Sequence, residues 1–413
     1  MRHFVLAIAL CAAPAVLAQH PIVQIAVTGS QRFTPAAVMA ASGLHVGQTV
    51  TRNDLNEAAQ RLLDTGFFSS VDYRYEVKTI GDTNVFAVTL QIAEAPAPMP
   101  VELDIPGQDG EALWPQLQSA APFIDHRMPE NERASAYYKR AIETVLAKSN
   151  HPQEIAITTE ADVYTGQSLF ICRPAHLPKV ASIRFSGNAA ISSDILEMHL
   201  AKLAMGQEST EREFRRMLEL NIRPLYEELG RLTVAFASVQ MAVTGDSAAV
   251  TTLVVEGPVW RLGKVDLAGD KLPETKMRAA AQFEDGRPAN WTRFLASVSN
   301  MEQVLRRDGY IQVSSKTTRA FRHADRAVDV RVDVQKGRQF FFGELRVHGL
   351  DPGLERRVAG QWKLASGAPM NDLYIRDFMK SVTPALAGRI KSFRSDLRPR
   401  EGTNVVDVVL TFH

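Results

Sequence analysis

One five-residue pattern, apolar–any–apolar–any–Gly, recurs five times and constrains this chain more than any other feature. It reads Ile25-Ala-Val27-Thr-Gly29, Leu103-Asp-Ile105-Pro-Gly107, Ile183-Arg-Phe185-Ser-Gly187, Val265-Asp-Leu267-Ala-Gly269 and Leu345-Arg-Val347-His-Gly349. The glycines stand 78, 80, 82 and 80 residues apart. Alternating apolar positions mark a strand with one buried face, and the glycine marks the turn that ends it. Self-similarity at a fixed spacing means one small unit copied in tandem, not a single large core.

Two further landmarks divide each unit. Gly47, Gly206, Gly286 and Gly367 follow the first glycine by 18, 19, 17 and 18 residues, with Asp125 at the matching place in the second unit. A short helix is expected between the two, capped by Thr34 with Pro35 in its first turn, and by Ser193 in the third unit. A longer helix follows. Thr51-x-x-Asp54 has the form of a capping box, and Leu55, Ala59, Leu62 and Leu63 share a face. Equivalent stripes are Phe214, Met217, Leu218 and Leu225, where Pro224 is expected to kink or end the helix; Phe294, Val298, Met301 and Leu305; and Ile375, Phe378, Met379 and Val382. Gly66, Gly230, Gly309 and Gly388, with Asn150 standing in once, give the left-handed stop. Two alternating strands close the unit, as at Val71–Val77 and Val85–Ile92.

The fold class is therefore α+β: five tandem βααββ units, each a three-stranded mixed sheet covered by two helices, arranged as an extended rod. The expected boundaries are 19–97, 98–178 (divergent), 179–258, 259–339 and 340–413. The joins, at 95–100, Leu177-Pro178, Gly257-Pro258 and Gly337-Arg338, are short and mostly proline-stiffened.

Residues 1–18, MRHFVLAIALCAAPAVLA, read as a secretory signal. Arg2 supplies the positive start, Phe4 to Cys11 the apolar run, and Val16-Leu17-Ala18 the site cut between Ala18 and Gln19. The rival reading is an uncleaved anchor. Beyond this segment the chain keeps one cysteine, Cys172, in an apolar run that suits a small buried hydrophobe. Two cysteines in all exclude a disulfide scaffold, a thiolate zinc cluster and an iron–sulfur centre.

The segments VASIRFSGNAAIS (180–192), LLDTGFFSSV (62–71) and VVEGPVW (254–260) resemble the POTRA (polypeptide-transport-associated) domain. Five copies behind a signal resemble the periplasmic arm of the BamA family; the related TamA and two-partner secretion transporters carry fewer. The resemblance covers nearly all of residues 21–413 and is least evident in the second unit. It departs from the family at the C-terminus. This sequence stops at Thr411-Phe412-His413, leaving no residues for the membrane β-barrel that follows in BamA, so a barrel-less protein is expected. The resemblance implies a periplasmic location near the outer membrane, a last strand at the centre of each sheet and a middle strand at its open edge.

Catalytic constellations are missing from the sequence. It holds no HExxH, GxSxG, GxxxxGK[ST] or GxGxxG, and no histidine pairs at metal-ligand spacing. Asp104 and Asp266, at the alternate strand position, read as solvent-facing, as does His348. No enzyme, cofactor or metal site is expected. Total charge is near neutral, +1, which argues against nucleic acid as a partner. Its distribution is not even: the balances of the five units are −2, −5, −2, +6 and +3. Units four and five could face an anionic membrane surface. The alternative is solvated arginine, with Arg319, Arg322, His323 and Arg326 exposed in a hairpin loop.

What such a chain can do is bind. An open sheet edge carries unpaired N–H and C=O groups to which an extended peptide can add. The candidate edges are Val71–Val77, Ile155–Ala161, Thr233–Ala242 and Ile311–Thr317, with Val71, Tyr73, Tyr75, Val77, Thr233, Ala235, Ala237, Val239, Ile311 and Val313 as contact residues. The expected role is a non-enzymatic periplasmic scaffold, chaperone-like, for outer-membrane assembly or secretion. Its partners would be outer-membrane β-barrel assembly or secretion proteins and unfolded outer-membrane clients. The alternatives are a structural scaffold of cell-division type and, remotely, an unrecognised enzyme.

Overall fold

The computed structural model describes residues 19–96, 99–149, 152–161 and 166–413. The expected signal with Ala18, the stand-in cap Asn150 and part of the first join fall outside the described residues, whereas Gln19 is exposed just before the first strand. The chain packs as two compact units. One runs to Ser182 and adds Ala204–Phe214 and Gln240–Val250; the other comprises Ile183–Leu203, Arg215–Val239 and Thr251–His413.

The first repeat is β1 (His20–Thr28), α1 (Pro35–Ser42), β2 (Thr49–Val50), α2 (Arg52–Leu63), β3 (Phe68–Ile80) and β4 (Thr83–Glu94), with sheet order β2-β1-β4-β3. β1 lies parallel to β4 and β3 antiparallel to it. Thr34 caps α1 by accepting from the Ala37 N–H, with Pro35 in the first turn. Both legs of the Thr51–Asp54 capping box form at α2. Gly29 ends β1 at φ +91°, where a Cβ would stand 2.1 Å from the Ile92 carbonyl oxygen of the central strand. Gly349 is the same contact in the fifth repeat, at 2.0 Å from the Phe412 oxygen. In these two repeats the glycine is thus demanded by a close backbone approach as well as by a positive φ.

The second repeat is β5 (Met99–Leu103), α3 (Gly110–Ala120), β6 (Arg127–Met128), α4 (Glu132–Lys148), β7 (Ile155–Ala161) and β8 (Ser168–Pro174), in the order β6-β5-β8-β7. Its divergent sequence keeps the common topology. Asp125, in the second-glycine position, accepts from the Arg127 N–H and pairs with Arg32 of the first repeat at 2.8 Å.

The third repeat has β9 (Lys179–Ser186), α5 (Ser193–Ala204), α6 (Glu211–Met217), a π-helical turn (Leu218–Ile222), α7 (Arg223–Glu228), β10 (Ala235–Thr244) and β11 (Ser247–Val255), ordered β10-β11-β9. Pro224 lacks the N–H that would continue an α-helix, and the π turn ends two residues before it, at Ile222. The inserted residue rotates the apolar stripe, so Ile222 and Tyr226 are buried while Leu225 is only half-buried. Ser193 opens α5 instead of preceding it, because the first helical bonds accept at the Ser192 carbonyl.

The fourth repeat is β12 (Arg261–Ala268), α8 (Glu274–Ala281), α9 (Trp291–Arg307), β13 (Ser314–Arg322) and β14 (Ala327–Gln335), ordered β12-β14-β13. The fifth is β15 (Phe341–His348), α10 (Pro352–Gly360), α11 (Asp372–Val382), a 3-10 turn (Thr383–Leu386), β16 (Phe393–Pro399) and β17 (Val405–Phe412), ordered β15-β17-β16. Phe294, Val298, Met301 and Leu305 of α9 and Ile375, Phe378, Met379 and Val382 of α11 are all buried against their sheets.

The expectation of three strands per sheet needs one correction. The first two sheets have four, because two-residue β2 and β6 lie antiparallel along the outer side of β1 and β5. The other repeats reduce this to single bridges, Lys179–Glu208, Arg261–Pro288 and Phe341–Pro369. The second-glycine landmark is what makes the return. The N–H groups of Gly47, Gly206, Gly286 and Gly367 donate to the carbonyls of Ile22, Val180, Leu262 and Phe342 at 2.7–2.9 Å.

Candidate strand-docking edges

The two sides of each sheet are treated differently. On the first-strand side the returning segment occupies part of the ladder. On the other side β3, β7, β10, β13 and β16 are terminal, and each pairs with its central strand alone among the described residues. Their outward N–H and C=O groups are the fold's open hydrogen-bonding capacity.

The expected contact residues divide between these edges. Val71, Tyr73, Tyr75 and Val77 share one face of β3. Val71 is buried and the Tyr73 hydroxyl donates to Asn56 Oδ1 of α2 at 2.7 Å, whereas Tyr75 and Val77 are exposed. Ala235 and Ala237 lie exposed on β10, and Val239 points into the core. Thr233, Ile311 and Val313 are not in edge strands. The chain makes an extra turn after Gly230 and Gly309, closed by Val234 N–H to Arg231 O and Val313 N–H to Tyr310 O, so β10 and β13 start at Ala235 and Ser314. The apolar residues of these turns cover the following repeat: Leu232 is in the fourth repeat's core and Ile311 packs against the fifth's. Val313 packs within its own repeat. Thr233 Oγ1 accepts from the Trp260 indole N–H at 3.2 Å.

The β16 edge, of which the sequence gives little sign, lies beside a groove. In the fifth repeat an open groove of about 1110 Å³ runs between α11 and β16. Ile375, Met379, Ile390, Phe393 and Leu397 give it an apolar lining, and Lys380 is among the cations there. Phe393 and Leu397, four apart on the edge strand, are 45% and 36% exposed. The spacing Phe393-x-Ser395-x-Leu397 is the only signal the sequence offered, and it is no stronger than in any amphipathic strand.

Three charged residues depart from their expected positions. Arg319 and Arg322 lie in β13, not in the hairpin loop, Arg322 as its last residue. The first of them is also enclosed. Its guanidinium sits 3.7 Å from the Trp291 ring centroid, and both terminal nitrogens donate to Glu227 Oε1 at 3.1 Å. Asp104 is 6% exposed, because β5 ends at Leu103 and the next residue turns beneath α6. There its Oδ2 accepts from the Thr210 hydroxyl at 2.6 Å, and burial pushes its pKa up to about 6. His348 is exposed as expected. Cys172 is fully buried, which pushes its thiol up to about 12 and leaves it protonated and inert at neutral pH.

Geometry thus defines a class: tandem two-layer α+β domains, each with its last strand at the centre of the sheet between the first strand and an open middle strand. Residues 21–95, the first repeat, match the family model of POTRA, described as a surface antigen variable number repeat. The chain is similar to the third to fifth POTRA domains of BamA from Haemophilus influenzae, at 18% identity over 57% of this chain and 96% of that one, with a TM-score of 0.46. It is also similar to POTRA domains 1–3 of Omp85 from Anabaena, at 13% identity over 77% and 95% of the two chains and a TM-score of 0.19. For CdiB from Escherichia coli the figures are 15%, 49% of this chain, 34% of that one and 0.19.

Proposed function

We propose that this protein is a non-enzymatic periplasmic scaffold for outer-membrane protein assembly or secretion, built of five POTRA-like domains with boundaries near residues 97, 178, 258 and 339. Its partners are outer-membrane assembly or secretion proteins and unfolded barrel strands, taken up by β-augmentation at open edges. The observation that carries this reading is the β16 edge beside an apolar groove: the strand supplies backbone groups, and the groove takes alternate apolar side chains of an added strand. A client of this kind alternates apolar and polar residues, as membrane barrel strands do. The exposed edge residues Tyr75, Val77, Ala235 and Ala237 offer further docking points. Lysine beside the groove and the positive balance of repeats four and five favour an acidic partner or an anionic membrane surface.

The test is photo-crosslinking in the cell envelope of the source bacterium from single positions, Leu397 on β16 and Ala237 on β10. Recovery of barrel assembly proteins, secretion proteins or nascent barrel strands is the expected result. Recovery of only cell-division proteins, or of no envelope protein from either position, would overturn it.

A further inference from the structure

β3 is the longest terminal strand, 13 residues from Phe68 to Ile80, and past Ser70 its ladder with β4 is regular. Asp72, Arg74, Glu76 and Lys78 share one face and alternate in sign. Across the ladder they stand opposite Gln91, Thr89, Ala87 and Val85, none of which carries charge. The ion pair found among them is Lys78–Glu76, along the strand, exposed and 3.9 Å long. The other face presents Tyr73, Tyr75 and Val77. Helix α2 reaches as far as Tyr73, and beyond it on this face Tyr75 and Val77 are 37% and 53% exposed. A long, regular edge with bare aromatic and aliphatic side chains is a pairing surface unless charge opposes it.

Here charge selects a partner. We propose that the occupant of the β3 edge is β3 of a second copy of this chain, antiparallel, with a two-fold axis between the two Tyr75 residues. This rests on the reading above that open edges take up strands, and names the partner for one of them. In that register Asp72 faces Lys78 of the second copy and Arg74 faces Glu76, each pair occurring twice. On the other face Tyr75 meets Tyr75 and Tyr73 meets Val77, aromatic and apolar pairs of the kind that stabilise antiparallel ladders. A slip of two residues one way sets Arg74 against Arg74 and Asp72 against Glu76. A slip the other way sets Glu76 against Glu76 and Arg74 against Lys78. Both put like charges directly opposite, and a slip of four keeps one kind of opposite-charge pair only, Asp72 with Arg74 or Glu76 with Lys78, so the full alternation favours the register centred on Tyr75. In this register the end of each strand that α2 covers, at Tyr73, lies beside the exposed end of the other, at Val77.

The full chain, without residues 1–18, is the material for the test. Tyr75→Cys should form a disulfide-linked dimer under mild oxidation, since directly opposed Cβ atoms lie within reach of a disulfide. Val77→Cys should not, because its two copies are about 13 Å apart along the ladder. The remaining cysteine, Cys172, is buried and does not compete. In sedimentation over a concentration series the native chain should self-associate. Arg74→Glu and Glu76→Arg should each leave a monomer, and the double swap should restore the dimer. Single-chain mass throughout, or equal crosslinking at positions 75 and 77, overturns the proposal. Partner capture from Leu397 is read separately in the same chains, so loss of the dimer with capture intact rejects the self-pairing and leaves the scaffold reading standing.

Discussion

At the scale of single residues, a neighbouring repeat sets the chemistry of Arg319. Arg319 belongs to an alternating strand, and nothing local distinguishes it from Arg322, which pairs with Asp325 and Asp329 at the surface. Its environment is set by Trp291, from another element of its repeat, and Glu227, 92 residues away. A planar guanidinium can lie on the indole and hold the carboxylate together, which an ammonium cannot. Arg319→Ala should therefore cost about 2 kcal/mol, and Arg319→Lys should recover less than half of that, read by equilibrium denaturation. Full recovery by lysine would mean that charge alone matters there.

At the scale of elements, the N-terminus of α6 shows how one helix start is tied to a preceding repeat. Thr210 accepts from the Glu213 N–H, as a cap does, and donates its own proton to Asp104. Glu102 pairs with Arg212, Glu213 with Arg173, and Glu211 accepts from the Gly107 N–H at 2.8 Å. Carboxylates outnumber guanidinium groups in this cluster, which adds to the burial that raises Asp104. Its folded pKa, about 6, exceeds the ordinary 3.8. Ionised Asp104 therefore weakens the fold above pH 6, and that cost fades as pH falls from 6 towards 4. Asp104→Asn, which keeps an acceptor for Thr210, should be the more stable form at pH 7, by up to about 3 kcal/mol, with the advantage vanishing near pH 4. A difference that stays constant across that range would rule out Asp104 as the titrating group.

At the scale of the whole molecule, the repeats are less independent than their sequence period suggests. Residues from Ile22 to Cys172 form one hydrophobic cluster spanning the first two repeats. At its centre Phe33, Phe67 and Phe68 meet Phe123, with ring centroids 4.8, 5.9 and 5.2 Å from it. Units of this size are marginal alone, and a shared core offsets the surface each would expose. Phe123→Ala, at a fully buried site, should cost about 3–5 kcal/mol and lower amide-exchange protection in β4 as well as β8. Protection lost in the second repeat alone would show that the two fold separately.

The order of the main elements, the caps at Thr34 and Thr51, the helix stripes of the first, fourth and fifth repeats and the glycine stops are legible in the sequence. Each depends on groups a few residues apart, so period-two and 3.6-residue patterns and the φ demands of glycine record them directly. Tertiary structure alone decided that Asp104 is buried, that Arg319 is stacked, that Ile311 serves the next core, and that a groove opens beside β16. Those outcomes depend on residues far apart in the chain, or on how a helix lies over a sheet edge, and a one-dimensional pattern carries no term for either.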